Sequence, residues 1–475
     1  MVQKNPDGFQ EALKLFKESA QTTPAYKSFL KKHKINPARV KSYSDFLKIP
    51  LTDKNNYLRA FDFTWLFPDK KIPAMISASS GSSGKPFYWP RGGQQEDVGG
   101  RLHERIFRDI FGIKKEERTL VIVCFSMGTW IAGTFTMSSA RWLAKHGYNI
   151  SVITPSIEKE DAVNILRDLA PIFDRVILAG YPPFVRDVIE EAKAQRVDIK
   201  KFKLNLLLAG ENFSEKYREI LHEVAGIKNN FSGSSSIYGT ADAGAVGHET
   251  PASIFIRKIA SGNKRLALAF GLDSFMPTIV QYDPKQVFFE MVSDEMIFSS
   301  RSGIPLLRYN IHDTGKLMAH YEMRKILKDC GILEKAKKLG FEKWRAPFIL
   351  LGSRSDVATT FYALNIYPEN IKAGLENKNV YRFVSGKFIA HSRLFNNGRD
   401  QKLFIEVELA RKVKLSLNLA AKIRQSVFDS LTRLNMEYRK LHRSIGAKAL
   451  PNIILIKFGD PRFAVKKAKH RWNKR

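Results

Sequence analysis

Five short stretches of this chain combine residue types that can do chemistry. The first is Ser77-Ala-Ser-Ser-Gly-Ser-Ser-Gly-Lys-Pro86, which packs hydroxyls, two glycines and a cation into ten residues. Glycines let backbone N–H groups turn tightly toward an anion, serine hydroxyls add donors, and a lysine adds a point charge. Ser80, Ser82, Ser83, Gly84 and Lys85 are therefore candidate phosphate-binding residues. The spacing is not that of a Walker loop, which needs four residues between its glycines and a Ser or Thr after the lysine. Here two residues separate Gly81 from Gly84, and Pro86 follows Lys85. A flexible Ser/Gly linker would have the same composition. The second stretch, Leu208-Ala-Gly210-Glu211, ends an apolar run. The third, Tyr238-Gly-Thr-Ala-Asp242, sets an aromatic ring beside a carboxylate, a pair able to stack a purine and hold magnesium. The fourth, Pro305-Leu-Leu-Arg-Tyr309 followed by Asp313, puts a carboxylate where it could bind ribose hydroxyls. The fifth is Arg354-Ser-Asp356. Taken singly, each of the last four also has an ordinary reading as a turn, cap or connecting loop.

The surrounding pattern shows how such residues could be positioned. Strands are expected at 119–124, 149–153, 175–179 and 204–209, with helices at 129–146, 158–172 and 183–194 and another from Ser214, its N-cap. This alternation predicts parallel strands with crossover helices. Ligands bind at the C-terminal ends of such strands, where Gly210 and Glu211 fall. Upstream, 8–33 has helical spacing, and Thr52 is a candidate N-cap for a helix after Leu51. From 255 to 298 the pattern predicts mainly strands. A smaller region from Gly352 is expected to hold a strand at 403–409, a long basic helix at 415–442 and a last strand at 452–457.

At 475 residues, 44% of them hydrophobic, the chain is long enough for two cored domains. Domains are expected at 1–351 and 352–475. The fold class is α/β: a large N-terminal domain of mostly parallel sheets and crossover helices, plus a small C-terminal α+β domain. The net charge of +31 favours anionic partners without choosing among them. The two cysteines, Cys124 and Cys330, argue against a disulfide framework and fit a reducing, cytoplasmic setting. Residues 1–17 lack the apolar core of a signal peptide. No charge occurs between Arg118 and Arg141, but Ser, Thr and Gly interrupt that segment, and a buried strand, turn and helix are expected rather than a membrane span.

Taken together and in this order, the stretches resemble the adenylate-forming (acyl-activating, AMP-binding) superfamily, and within it the phenylacetate–CoA ligase-like branch. Its phosphate loop, SSG-[ST]-[ST]-GxP, matches Ser79–Pro86, and its YGxxE motif matches Tyr238–Asp242 with Asp for Glu. Its P-[LI]-x-R-Y…D motif matches Pro305–Asp313. Its hinge motif matches Arg354-Ser-Asp356, Asn365, Pro368 and Ile371, and its C-terminal lysine motif resembles Pro461-Arg462 with Lys466-Lys-Ala-Lys-His470. The resemblance spans nearly the whole chain. It implies an AMP-forming acid–thiol ligase: ATP activates a carboxylic acid as its adenylate, and a thiol, CoA foremost, takes the acyl group. The implied cofactors are ATP, Mg2+ and CoA as co-substrate. The implied roles are phosphate binding by Ser80, Ser82, Ser83, Gly84 and Lys85, and an adenine pocket from Gly210, Glu211 and Tyr238. Asp242 would hold magnesium, and Asp313 would hold the ribose, with Arg354 among the nucleotide-binding residues. Asp356 would be the hinge, and Lys467 would reach the α-phosphate, with Lys466 and Lys469 as alternatives in register.

The chain departs from the family at Ala241 (Ser/Thr), Val357 (Asp), Ala363 (Gly in the loop lining the CoA tunnel) and Lys372 (Glu). Residues 316–348 are longer than the family's and include a helical stretch at 321–339. Two other readings stay open: delivery of the adenylate to a protein or carrier acceptor, and a basic nucleic-acid-binding protein, for which no motif speaks. The acyl pocket is expected near 125–130 and 233–238, without selecting an acid.

Overall fold

The structure, a computed structural model, describes residues 6–78, 87–228, 231–270, 276–354, 359–362, 364–395 and 400–463. The chain divides into two units. The first comprises Met1–Gly210, His222–Ile256 and Ile279–Gly352, and the second Glu211–Leu221, Arg257–Thr278 and Ser353–Arg475.

The strands of the first unit are β1 (Met75–Ala78), β2 (Tyr88–Arg91), β3 (Thr119–Cys124), β4 (Ile150–Ile153), β5 (Arg175–Gly180), β6 (Lys203–Ala209), β7 (Ser234–Thr240), β8 (Gly244–His248), β9 (Thr278–Tyr282), β10 (Val287–Val292), β11 (Glu295–Ser302), β12 (Ile304–Met318) and β13 (Phe348–Arg354). Thr278, Ser353 and Arg354 count with the second unit. β1 and β2 form an antiparallel hairpin. The other eleven join one sheet in the order β10-β11-β12-β13-β9-β8-β7-β6-β5-β3-β4. β4, β3, β5, β6 and β7 run parallel. The β7–β8 and β8–β9 pairs and the β10-β11-β12 meander are antiparallel. β3 and β5 are buried at every residue, as parallel strands covered on both faces must be, and this is why they read as apolar runs after their first residues, Thr119 and Arg175. The uncharged segment between Arg118 and Arg141 resolves into β3, a turn and part of the helix Ile131–Lys145, which buries Thr136, Ala140 and Leu143 on one face. Among the described residues no helix is long and apolar enough to cross a membrane.

The second unit contains β14 (Thr359–Phe361), β15 (Leu364–Ile366), β16 (Val384–Phe395), β17 (Asp400–Leu409) and β18 (Asn452–Ile456). β14 and β15 form a hairpin, and β16-β17-β18 a three-stranded sheet. Its core includes Phe388, Ile405 and Val407 of the sheet against Ile371, Ile423, Val427 and Leu431 of helices.

Four local expectations need correction. Residues 251–262 and 264–269 are helical rather than strand. The run Ser253-Ile-Phe-Ile256 has β-forming residues, but Thr250 and Ser253 bond each other's backbone N–H at 3.2 and 2.9 Å and cap a helix that opens on Pro251. The expected basic helix at 415–442 is two helices, Leu417–Leu434 and Met436–Ile445, because Asn435 leaves helical geometry and caps the second through the Tyr438 N–H at 2.9 Å. The stretch at 321–339 is likewise split, into His320–Asp329 and Leu333–Lys338, around Gly331 at φ 70°. The cap assigned to Thr52 belongs to Asp53, whose carboxylate accepts the Asn55 and Asn56 N–H groups at 2.6 Å. Thr52 is instead buried against β12, exchanging backbone bonds with Arg308 and Asn310 at 2.9 and 2.8 Å. Ser214 is a cap as expected, accepting the Tyr217 N–H at 3.0 Å.

Candidate functional site

The site begins at the turn between β7 and β8, where the Ala243 N–H donates to Thr240 Oγ1 at 2.9 Å and Asp242 is buried. The Tyr309 hydroxyl, from β12, donates to Asp242 Oδ2 at 2.7 Å. Burial first, then the neighbouring Asp242 charge, push the Tyr309 phenol far above its ordinary value, so it stays a donor. Trp89 and Phe298 meet its ring edge-on. Lys54 Nζ lies 3.8 Å from the same Oδ2 and over the Trp89 ring. Oδ1 of Asp242 has no partner among the described residues.

A second pair runs the other way. The Tyr238 hydroxyl, on β7, donates to Asp313 Oδ2, on β12, at 2.7 Å. Each of the two motifs thus supplies one phenol and one carboxylate to the other, across 67 residues in one case and 75 in the other. Sequence reasoning singled out Tyr238, Asp242 and Asp313 but had no signal for this exchange, nor for the part played by Tyr309. Arg308, in the same motif, has a structural job. It ion-pairs buried Glu290 at 3.0 Å and donates to the carbonyls of Leu47 and Ile49.

Sequence reasoning also missed Lys54 and Arg91. Arg91, at the end of β2, is buried and donates to the carbonyls of Ser302 (2.6 Å), Pro90 (3.3 Å) and Ala241. Gly303 makes this approach possible: a Cβ there would sit 1.9 Å from the Pro90 carbonyl oxygen, and its φ is 88°.

Of the other candidates, Ser80, Ser82, Ser83, Gly84, Lys85, Asp356 and Lys467 lie outside the described residues, as do Val357 and Ala363. The phosphate-loop candidate connects β1 to β2. Ala78, just before it, donates its N–H to Thr129 O at 2.7 Å. Gly210 follows β6 at φ 103°. Arg354 ends β13, and its side chain lies outside the description. Glu211 opens the second unit, where Lys372 Nζ stands 2.9 Å from its Oε1. The lysine that replaces the family's Glu thus neutralises a candidate nucleotide-pocket residue.

Beside this pair, the Ser214 hydroxyl donates to Glu376. Burial raises the Glu376 carboxyl from its ordinary 4.5 to about 7, against the lowering by Ser214, Lys372 and Arg257. The folded state therefore holds more protons than the unfolded state between those values, so stability should fall as pH rises from about 4.5 to 7 and level off above. The loss is on the order of 3 kcal/mol. Urea midpoints at pH 5 and pH 8 test this: Glu376→Gln should remove most of the difference, and an unchanged difference would refute the assignment.

Among the described residues no three His, Cys, Asp or Glu side chains cluster as a metal cage. Magnesium does not need one, because it is usually held by one or two carboxylates with substrate phosphates and water completing the shell. A buried Asp242 with one uncommitted oxygen fits that donor set.

No family model matches the chain. Over 398 residues it is 21% identical to phenylacetate-coenzyme A ligase of Pseudomonas putida, covering 83% of this chain and 79% of that protein. The structure resembles a 2-hydroxyisobutyryl-CoA ligase in the postadenylation state with R3-HIB-AMP (TM-score 0.69, 14% identity), over 98% of this chain and 88% of that one. It also resembles the acyl acid amido synthetase AtGH3.15 in complex with 2,4-DB (TM-score 0.62, 14% identity), over 99% and 92%. The chain has the fold of the adenylate-forming superfamily, and its sequence is similar to the phenylacetate–CoA ligase-like branch.

Proposed function

We propose that this protein is an AMP-forming acid–thiol ligase. A carboxylate oxygen of the substrate attacks the α-phosphorus of ATP and pyrophosphate leaves. The thiol of CoA then attacks the acyl carbonyl and AMP leaves. The reciprocal pairing of Tyr238 with Asp313 and of Tyr309 with Asp242 carries the reading. Each carboxylate is held by one phenol at 2.7 Å, which supports an aromatic face for adenine, Asp313 for the ribose and Asp242 for magnesium.

In this reading Tyr238 stacks on adenine while its hydroxyl orients Asp313 toward the ribose. Tyr309 fixes Asp242 through Oδ2 and leaves Oδ1 for magnesium, which when bound would offset the charge of the phosphates. Ser80, Ser82, Ser83, Gly84 and Lys85 cradle the β- and γ-phosphates, and Gly210, Glu211 and Arg354 complete the nucleotide pocket. Residues 1–351 form the adenylating domain, and 352–475 a mobile domain that turns about Asp356 and delivers Lys467. Such delivery separates the two half-reactions and keeps water from the adenylate.

ATP–pyrophosphate exchange across a panel of carboxylic acids, with AMP and thioester measured with and without CoA, tests the reading. Acid-dependent exchange supports it, and its absence for every acid refutes it. Thioester formed only on a carrier-protein cysteine would move the acceptor from CoA to protein. Within the same assay, Tyr238→Phe keeps the ring but loses the bond to Asp313. It should raise the KM for ATP about threefold to tenfold with little change in kcat, the worth of one hydrogen bond. Lys422 and Arg424 are exposed on a helix that buries Ile423 and Val427.

A further inference from the structure

A cavity of about 310 Å³ opens beside the Asp242 turn, between the helices Phe9–Thr22 and Gly93–Arg105 and the strands β10 and β11. At about 30 Å³ per water it has room for roughly ten non-hydrogen atoms, at the small end of ligand pockets. Ala243 and Gly244, which directly follow Asp242, form part of its wall, and Leu15, Val98 and Phe135 give it apolar surface. Its charged lining is mainly cationic: Arg91, Arg101, Lys285 and Arg301, against Glu11. Arg301 is compensated by Glu18 at 2.5 Å. Arg91, Arg101 and Lys285 have no carboxylate within ion-pair distance among the described residues.

Arg91 makes this imbalance consequential. Its side chain is buried, its terminal nitrogens reach only backbone carbonyls, and its Nε has no hydrogen-bond partner among the described residues. Burial lowers the guanidinium to about 10, which still leaves it charged at neutral pH. A buried charge is ordinarily paired. Here the nearby Asp242 charge, beyond ion-pair distance, only partly offsets it. Arg91 stands at the inner end, bonded to Ala241 next to Asp242, while Arg101 and Lys285 are exposed at the mouth.

Resting on the adenylation reading above, we propose that this cavity, rather than the stretches 125–130 and 233–238 expected from the sequence, binds the acid and that the substrate is a short acid bearing a second anionic group. Arg91 faces the carboxylate that is activated, and Arg101 and Lys285 hold the far anion. The bond chemistry is unchanged: one carboxylate oxygen bonds to the α-phosphorus, the bond to pyrophosphate breaks, and the second anion takes no part.

The test is ATP–pyrophosphate exchange by the full chain at low salt, where exposed charges are least screened. The acids are glutarate, 4-sulfobutanoate and pentanoate. We expect kcat/KM at least tenfold higher for an acid with two anionic groups than for pentanoate, and the two such acids compared show whether a carboxylate or a sulfonate is preferred. Arg101→Gln and Lys285→Gln should each lower that preference several-fold, Arg101→Lys should retain most of it, and Glu11→Gln should raise it. Equal or better use of pentanoate, or a preference unmoved by all of these changes, would overturn the substrate class and leave adenylation standing. Exchange with no acid at all would remove both.

Discussion

Lys467→Ala should slow acyl-adenylate formation by about a hundredfold to a thousandfold, the usual cost of removing one charge-stabilising contact from a water-excluded site. The carboxylate and the α-phosphate are both negative, and the transition state adds charge at the phosphoryl oxygens. A lysine there acts on charge that develops, so its loss lowers kcat more than it raises KM. The thiol step also develops charge, on the acyl oxygen and the departing AMP, but in the proposed domain turn Lys467 has been withdrawn by then. Conversion of a supplied acyl-adenylate to thioester should therefore stay near the unmodified rate. Single-turnover measurement of each half-reaction checks this. Equal slowing of both would refute delivery of Lys467 by a turning domain. No slowing of either, with Lys466→Ala or Lys469→Ala slowing the first, would shift the register and leave the mechanism intact.

Asp242→Asn should have an effect of comparable size on the first half-reaction, also about a hundredfold or more. The amide oxygen can still accept the Tyr309 hydroxyl, which now bonds Oδ2 at 2.7 Å, so the packing around Trp89 and Phe298 should survive. The charge that would hold magnesium is lost. Raising Mg2+ should recover part of the rate, and the thermal midpoint should move little. Tyr309→Phe leaves the carboxylate but releases its anchor, and should weaken apparent magnesium affinity by about tenfold, as outer partners of metal ligands do. Full activity of Asp242→Asn at ordinary magnesium would remove this residue from the metal site.

The strand and helix alternation from 119 to 225 was readable because each element carries its own period. Mostly apolar runs such as β3 and β5 mark strands covered on both faces, and the helix Ile131–Lys145 repeats its buried residues every three or four positions. The misreadings come from places where capping outweighs propensity. Ile254 to Ile256 favour a strand, yet the reciprocal bonds of Thr250 and Ser253 start a helix. Asn435 interrupts a basic amphipathic stretch that is otherwise continuous. Side-chain hydrogen bonds to backbone N–H groups decided each case, and composition cannot show whether such bonds are made.

The sequence by itself determined which local chemistries are present. Glycines and hydroxyls near 80, the ring and carboxylate of 238–242, and Asp313 beyond Tyr309 are contiguous stretches whose residue types are visible without the fold. Only the tertiary structure decided that Tyr238 meets Asp313 and Tyr309 meets Asp242. Three strands stand between β12 and β7 in the sheet order, and in a flat sheet four spacings of about 4.8 Å would hold them apart. The sheet must curl for those hydroxyls to reach those carboxylates at 2.7 Å, and curl is a sum of small twists over many strands. Arg91 follows the same rule. Its charge is visible in the sequence, but its burial depends on the Ser302–Gly303 turn closing over β2 from more than two hundred residues away.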